Sequence, residues 1–253
     1  LARGDLLSLR VLAIDTSAGT SVAVLHGGQV LAEVSFANAM QHVETIGTSI
    51  AQALAIAALD ANAIDTVVVG RGPAPFTGLR VGIAAGTVFA EAAGVDLVGA
   101  VSLDALAWAA LQNPLLASQV SATSPLLVTS DARRSEVYWA LYTGLSSHGF
   151  PIRVDPPAVS KPAALEEHLI DRNVVPVRPG ILEEFNIATA LARVALAQLA
   201  AGETLADTSP LYLRAPDAVL PKPHARFGKV EYSKPVTAAG NETAPSESRG
   251  GAR

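Results

Sequence analysis

Three groups of residues carry types and spacings that can do chemistry. Asp15 closes the apolar run Val11-Leu12-Ala13-Ile14 and precedes a polar turn with Gly19, Thr20 and Ser21. A carboxylate at a strand end can face a phosphate and its metal across such a turn. It can equally hold the turn by accepting nearby backbone N–H groups. The stretch Asp131-Ala132-Arg133-Arg134-Ser135-Glu136-Val137-Tyr138 gathers charged and phenolic side chains around a tight turn. Its two arginines and two carboxylates either neutralise one another or form the polar wall of a cleft. The third group is the loop Gly70-Arg71-Gly72-Pro73-Ala74-Pro75-Phe76-Thr77-Gly78, followed by Leu79-Arg80-Val81-Gly82. Its glycines and prolines fix an unusual backbone path. Such a loop at a helix start presents N–H groups to an anion, or lets two stretches of backbone approach closely.

Several chemistries are excluded or weak. The chain of 253 residues has no cysteine, so disulfides, thiol catalysis and Cys-His zinc sites are out. Gly72 and Gly78 match the glycine spacing of a phosphate-binding loop, but Leu79-Arg80 stands where its lysine and hydroxyl belong. His42 and Glu44 are two apart and share no helix face, which makes a poor metal pair. The other histidines are scattered, and no metal site is expected. There is no Ser-centred nucleophile elbow. A net charge of −5 without a basic run argues against gripping nucleic acid alone. No apolar run approaches a membrane span and no signal peptide is recognisable, so a cytoplasmic location is expected.

The elements that must position these groups can be read from periodicity. Val11–Ile14, Ser21–Leu25 and Val30–Phe36 read as strands, the last two joined at Gly27-Gly28, a hairpin signal. Residues 40–59 have helical period, with Val43, Ile46, Ile50 and Leu54 on one stripe. A strand at 64–69 leads into the motif loop and a buried helix at 79–94. Gly82 and Gly86 on one face of that helix point to close backbone packing. A strand at 96–101 and a helix at 103–111, with Ser102 as its cap, complete the first half. After a polar connector the order begins again: strands at 126–131, 136–142 and 150–154, a helix at 163–170, a strand at 174–177 and a helix at 187–201. The strand-aspartate-turn-strand unit at Asp15 recurs at Asp131. The expected class is therefore α/β, a two-lobed actin-like (ASKHA, RNase H-like) fold of tandem β-β-β-α-β-α lobes, whose cleft holds nucleotide in that class. Lobes at 10–118 and 119–215 are expected. Residues 216–253, polar and proline-rich, are expected to form a mobile tail.

Four blocks occur in order: Ile14-Asp15-Thr16-Ser17, Gly70-Arg71-Gly72-Pro73 with Phe76-Thr77-Gly78-Leu79-Arg80-Val81-Gly82, Asp131-Ala132-Arg133-Arg134 with Glu136-Val137-Tyr138, and Pro210-Leu211-Tyr212-Leu213-Arg214. Together they make residues 10–215 resemble the TsaB (YeaZ) family, required for N6-threonylcarbamoyladenosine at position 37 of tRNA. The resemblance implies a non-catalytic scaffold, a pseudoenzyme with no cofactor of its own. It would pair through its first lobe with a TsaD-type catalytic subunit and act with a TsaE-type ATPase. ATP and a divalent metal would sit on those partners, and tRNA would be reached only through the complex. Isolated, the chain is expected to form a homodimer. The expected partner surface is His42, Val43, Ile46, Ile50 and Leu54. Asp15, Asp131, Arg133, Glu136 and Tyr138 are expected to line the cleft, and Arg80 to be available for a local or interfacial carboxylate. The family loop usually carries Gly-Ser where Ala74-Pro75 stands here, and Pro75 removes one N–H from any anion cradle. The region from Arg178 to Asn186 is short for the family. The alternative reading is an actin-like ATPase or kinase using Asp15 and Asp131.

Overall fold

The computed structural model describes residues 8–36, 42–179, 185–205 and 207–214, with side chains from Glu44 onward in the second span. The expected tail at 216–253 lies outside the described residues, as do the side chains of His42 and Val43.

The first sheet holds β1 (Arg10–Asp15), β2 (Thr20–His26), β3 (Gln29–Phe36), β4 (Thr66–Gly70) and β5 (Asp96–Ala100), in the order β3-β2-β1-β4-β5. The β1–β2 and β2–β3 pairs are antiparallel, while β1–β4 and β4–β5 are parallel. Gly27 and Gly28 both have positive φ, as a tight two-residue hairpin turn needs. Strand alternation divides the core in two. Leu12, Ile14, Val22, Val24, Val67 and Val69 face α1 (His42–Ile56) and α2 (Phe76–Ala93). Val11, Ala13, Ala23, Leu25 and Val68 face the other way.

That second face is covered by an element from the far end of the chain. Chain order puts 187–201 in the second half, yet α6 (Ile187–Ala200) packs on the first sheet through Ala188, Leu191, Ala192 and Ala195. A parallel-centred sheet needs helices on both faces, and alanines let this one lie close. Asn186 fastens its start. The amide accepts from Ser21 Oγ at 2.9 Å and from Thr189 N–H at 3.0 Å, and donates to Ser35 Oγ at 3.0 Å.

The second sheet is built from β6 (Leu126–Asp131), β7 (Val137–Leu145), β8 (Pro151–Arg153) and β9 (Ala158–Ser160), all antiparallel around β7. Tyr138, Ala140 and Tyr142 face α3 (Ser102–Leu111); Trp139 and Leu141 face α5 (Pro162–Asp171). The short α4 (Pro114–Ala117) falls within the expected connector. The expected strand at 174–177 is only a single bridge, Leu126 to Val177. α3 serves both sheets, with Ala105 on the first core and Leu103, Ala107 and Leu111 on the second. A partly buried ion pair fastens it: Arg153 donates to both oxygens of Asp104 at 2.8 and 2.9 Å, and Tyr142 Oη donates at 2.8 Å.

Candidate functional site

β1 delivers Asp15 to the end of the sheet, where its side chain is buried. Oδ1 accepts from the Ser17 N–H at 2.8 Å and from Ser17 Oγ at 2.5 Å. Oδ2 accepts from Ser102 Oγ at 2.6 Å. Ser102 therefore does not cap α3, whose cap position is Val101; its hydroxyl crosses to Asp15 instead. Its backbone N–H donates to the Gly72 carbonyl at 2.8 Å, and Arg71 N–H to the Ala100 carbonyl at 2.9 Å. Two backbone bonds to residues 100–102 thus pin the start of the loop.

The glycines of the motif serve close approach. A Cβ on Gly70 would overlap the Asp15 carboxylate; one on Gly82 would strike Thr16 and one on Gly86 would strike Val69. α2 begins at Phe76, three residues earlier than the apolar pattern indicates, with Pro75 at its cap position and no side chain capping it. Thr16 Oγ1 donates to the Gly78 carbonyl at 2.8 Å, seating the first turn on the β1–β2 turn.

Facing this corner is the β6–β7 turn. Between them lies a cleft of about 370 Å³ lined by Thr16, Ser17, Phe76, Thr77, Asp131 and Arg133, among others. The two readings of the turn's charges hold at once. Asp131 and Arg133 line the cleft, and they also pair with each other at 3.3 Å, while Arg133 N–H donates to Asp131 at 2.7 Å. Arg133, Arg134 and Ser135 all have positive φ, an uncommon run for residues with a Cβ. Glu136 pairs with Arg214. Tyr138 turns inward and donates from Oη to the Ala74 carbonyl at 3.2 Å, tying the second sheet to the motif loop. Burial, with the Asp131 charge nearby, pushes its phenol up. Among the described residues, no three His, Asp or Glu side chains are grouped to hold a metal ion.

Other expectations need correction. Of the five residues expected on the cleft, only Asp131 and Arg133 are in its lining; Asp15 is buried behind Ser17 and Ser102, Glu136 pairs with Arg214, and Tyr138 turns inward. Ile46 and Ile50 are 8 % and 9 % exposed and lie in the core between α1 and the first sheet; Leu54 packs against the same cluster. The sheet claims the apolar stripe of α1. Its outward face is Glu44, Gly47, Thr48, Ala51, Gln52, Ala55 and Ile56, beside the outward Arg80, Ala84 and Val88 of α2. Among the described residues, Arg80 meets no local carboxylate. Its guanidinium lies 3.8 Å from the Phe76 ring centroid, and Nε donates to Tyr212 Oη at 2.7 Å. Ser17, Ser102 and Tyr212 are members of the site that sequence reading did not assign a partner. Ser17 and Tyr212 are marked only by their places inside the motif blocks, and Ser102 only as an expected cap.

The family profile described as "TsaD: tRNA N6-adenosine threonylcarbamoyltransferase" matches residues 29–168, more than half of the chain. An uncharacterized protein of Mycobacterium tuberculosis is 36% identical over 220 residues, 82% of this chain and 93% of that protein. One of Mycobacterium leprae is 38% identical over 161 residues, and this chain spans only 40% of its length. The tRNA threonylcarbamoyladenosine biosynthesis protein TsaB of Escherichia coli is 30% identical over 64% of this chain and 66% of its own. Among solved structures, YeaZ from Pseudomonas aeruginosa superposes with a TM-score of 0.63 at 26% identity, over 81% of this chain and all of that one. The two sheets are those of an actin-like two-lobed fold.

Proposed function

Because the chain belongs to the TsaB (YeaZ) family, we propose that it serves tRNA threonylcarbamoyladenosine synthesis as a scaffold subunit rather than as a catalyst. One observation carries the scaffold reading. Asp15 stands where an actin-like enzyme would aim a carboxylate at phosphate and metal, and both its oxygens are held by Ser17 and Ser102. A carboxylate so held organises the corner between the lobes. On this reading the chain works in the cytoplasm beside a TsaD-type subunit and a TsaE-type ATPase. Those partners supply ATP and divalent-metal chemistry, and tRNA is met through the complex.

The partner surface moves from the buried stripe to the outward faces of α1 and α2. Gly47, Ala51 and Ala55 recur at four-residue spacing on α1, and small residues allow a helix from another subunit to approach closely. Val88, 66 % exposed, lies on the neighbouring helix. The same face would pair two copies of the isolated chain. The test is co-purification with a TsaD-type partner. Ala51→Glu with Val88→Glu is expected to abolish the complex while leaving the chain folded; retention of the complex sinks this surface.

The cleft of about 370 Å³ with Ser17, Thr77 and Arg133 on its walls supports a second reading, an actin-like ATPase or kinase. Titration calorimetry with Mg-ATP on the isolated chain separates the two. Micromolar binding that Arg133→Ala removes would favour the enzyme; no heat favours the scaffold.

A further inference from the structure

The segment from Asp207 to Arg214 follows α6 and contacts elements from both walls of the cleft. Its contacts change sides within a few residues. Asp207 pairs with Arg71 at 3.7 Å, and Leu211 N–H donates to the Arg71 carbonyl at 2.8 Å. The Tyr212 ring stacks on Phe76 with centroids 4.6 Å apart, and its hydroxyl accepts from Arg80. All of these belong to the motif loop and α2. The next two residues grip the other wall. Leu213 packs against the cluster containing Leu103, Tyr138 and Tyr142, and Arg214 pairs with Glu136 on the β6–β7 turn. Phe76 on one side and Asp131 and Arg133 on the other are the opposed linings of the cleft.

We propose that residues 207–214 are a clasp across the interlobe cleft, with Tyr212 and Arg214 as its two catches. A stack and an ion pair at partly exposed sites are individually weak; Tyr212 is 39 % exposed. The strands beneath are buried on both faces, as β1 and β4 show. The clasp can therefore release while the core stays folded, the pattern of a low-stability local unit. Without it, the direct ties left between the motif loop and the second sheet include the Tyr138–Ala74 bond. The function of such a clasp is to set the separation of the cleft walls. This inference stands on the chain's own contacts and does not depend on the partner reading.

The experiment is amide hydrogen exchange on the full chain. Tyr212→Ala and Arg214→Glu are each expected to speed exchange about tenfold in residues 71–79 and 132–138, leaving β1 and β4 unchanged. The charge swap Glu136→Arg with Arg214→Glu is expected to restore protection. No acceleration in either segment, an equal acceleration in β1 and β4, or failure of the swap to restore protection overturns the clasp.

Discussion

Gly70 has no room for a side chain because the Asp15 carboxylate occupies that space. β1 and β4 run parallel with Ile14 opposite Val69, so their last residues, Asp15 and Gly70, end side by side. The carboxylate leans across the end of β4 to reach Ser102 at the start of α3. It can do so only over a residue without a Cβ. Gly70→Ala is expected to cost about 3 kcal/mol in urea unfolding, through displacement of Asp15 and loss of its bonds. Gly47, on the outward face of α1 with nothing near its missing Cβ, is the control. Gly47→Ala should stabilise by about 0.5–1 kcal/mol, the usual helix gain.

The same network predicts a cost at its other end. Ser102→Ala would leave Asp15 Oδ2 without the donor recorded for it, in a buried setting. A loss of about 2 kcal/mol is expected from the denaturation midpoint at unchanged slope. An effect under about 0.5 kcal/mol would mean that solvent replaces the hydroxyl.

α1 and α2 together offer a contrast between a sheet-facing and an outward-facing side. Ile50→Glu forces a charge into the core under the first sheet and is expected to cost more than about 3 kcal/mol. Val88→Glu, on the outward face of α2, should stay within about 0.5 kcal/mol. Thermal melts of the two variants decide it, and equal losses would contradict the assigned faces.

Asp104, buried, and Arg153, partly exposed, form the pair that fastens α3 to the second sheet. Asp104→Ala would leave the partly exposed Arg153 guanidinium unpaired and the buried Tyr142 hydroxyl without its acceptor, with an expected loss of about 2–3 kcal/mol. Removing Glu166, whose pair with Arg178 is half-exposed, should cost less than about 1 kcal/mol. Burial pushes the Asp104 carboxyl up, against the opposing pull of Arg153 and Tyr142. A raised folded value means the folded state holds the proton more tightly. Its contribution is present below the ordinary aspartate range and is lost as pH rises through the raised value. Stability of the wild type relative to Asp104→Asn should accordingly fall as pH climbs out of the carboxylate range.

Asp65 titrates with the opposite sign. It accepts from Arg10 N–H, Nε and one terminal nitrogen at 2.8, 3.0 and 3.0 Å, joining the start of β1 to the approach to β4. The Arg10 side-chain bonds hold its carboxyl below the ordinary value. Its contribution is full above the ordinary aspartate range and is lost as pH falls through the depressed value. Asp65→Asn is expected to flatten the acid limb of a melting-temperature profile; an unchanged limb would rule the pair out as its source.

The sequence by itself determined the local elements and the family. Short apolar runs marked β1, β2 and β3, the Gly27-Gly28 pair marked the β2–β3 hairpin, and a helical stripe marked α1. Each is set by contacts within a few residues, so period and turn chemistry suffice to read it. The motif blocks carried the family because their glycines answer to fixed neighbours. What the tertiary structure decided is which groups meet. Whether the Ile46–Ile50 stripe is core or surface depends on where the sheet lies, and periodicity reports only that the residues share a face. Ser102 reads as a cap until the fold brings Asp15, 87 residues away, within reach of its hydroxyl. α6 belongs to the second half by order, yet covers the first sheet, through Asn186 bonded to Ser21 across 165 residues. Such pairings are set by the burial of whole faces, and a hydrogen bond between distant residues leaves no periodic trace in the chain.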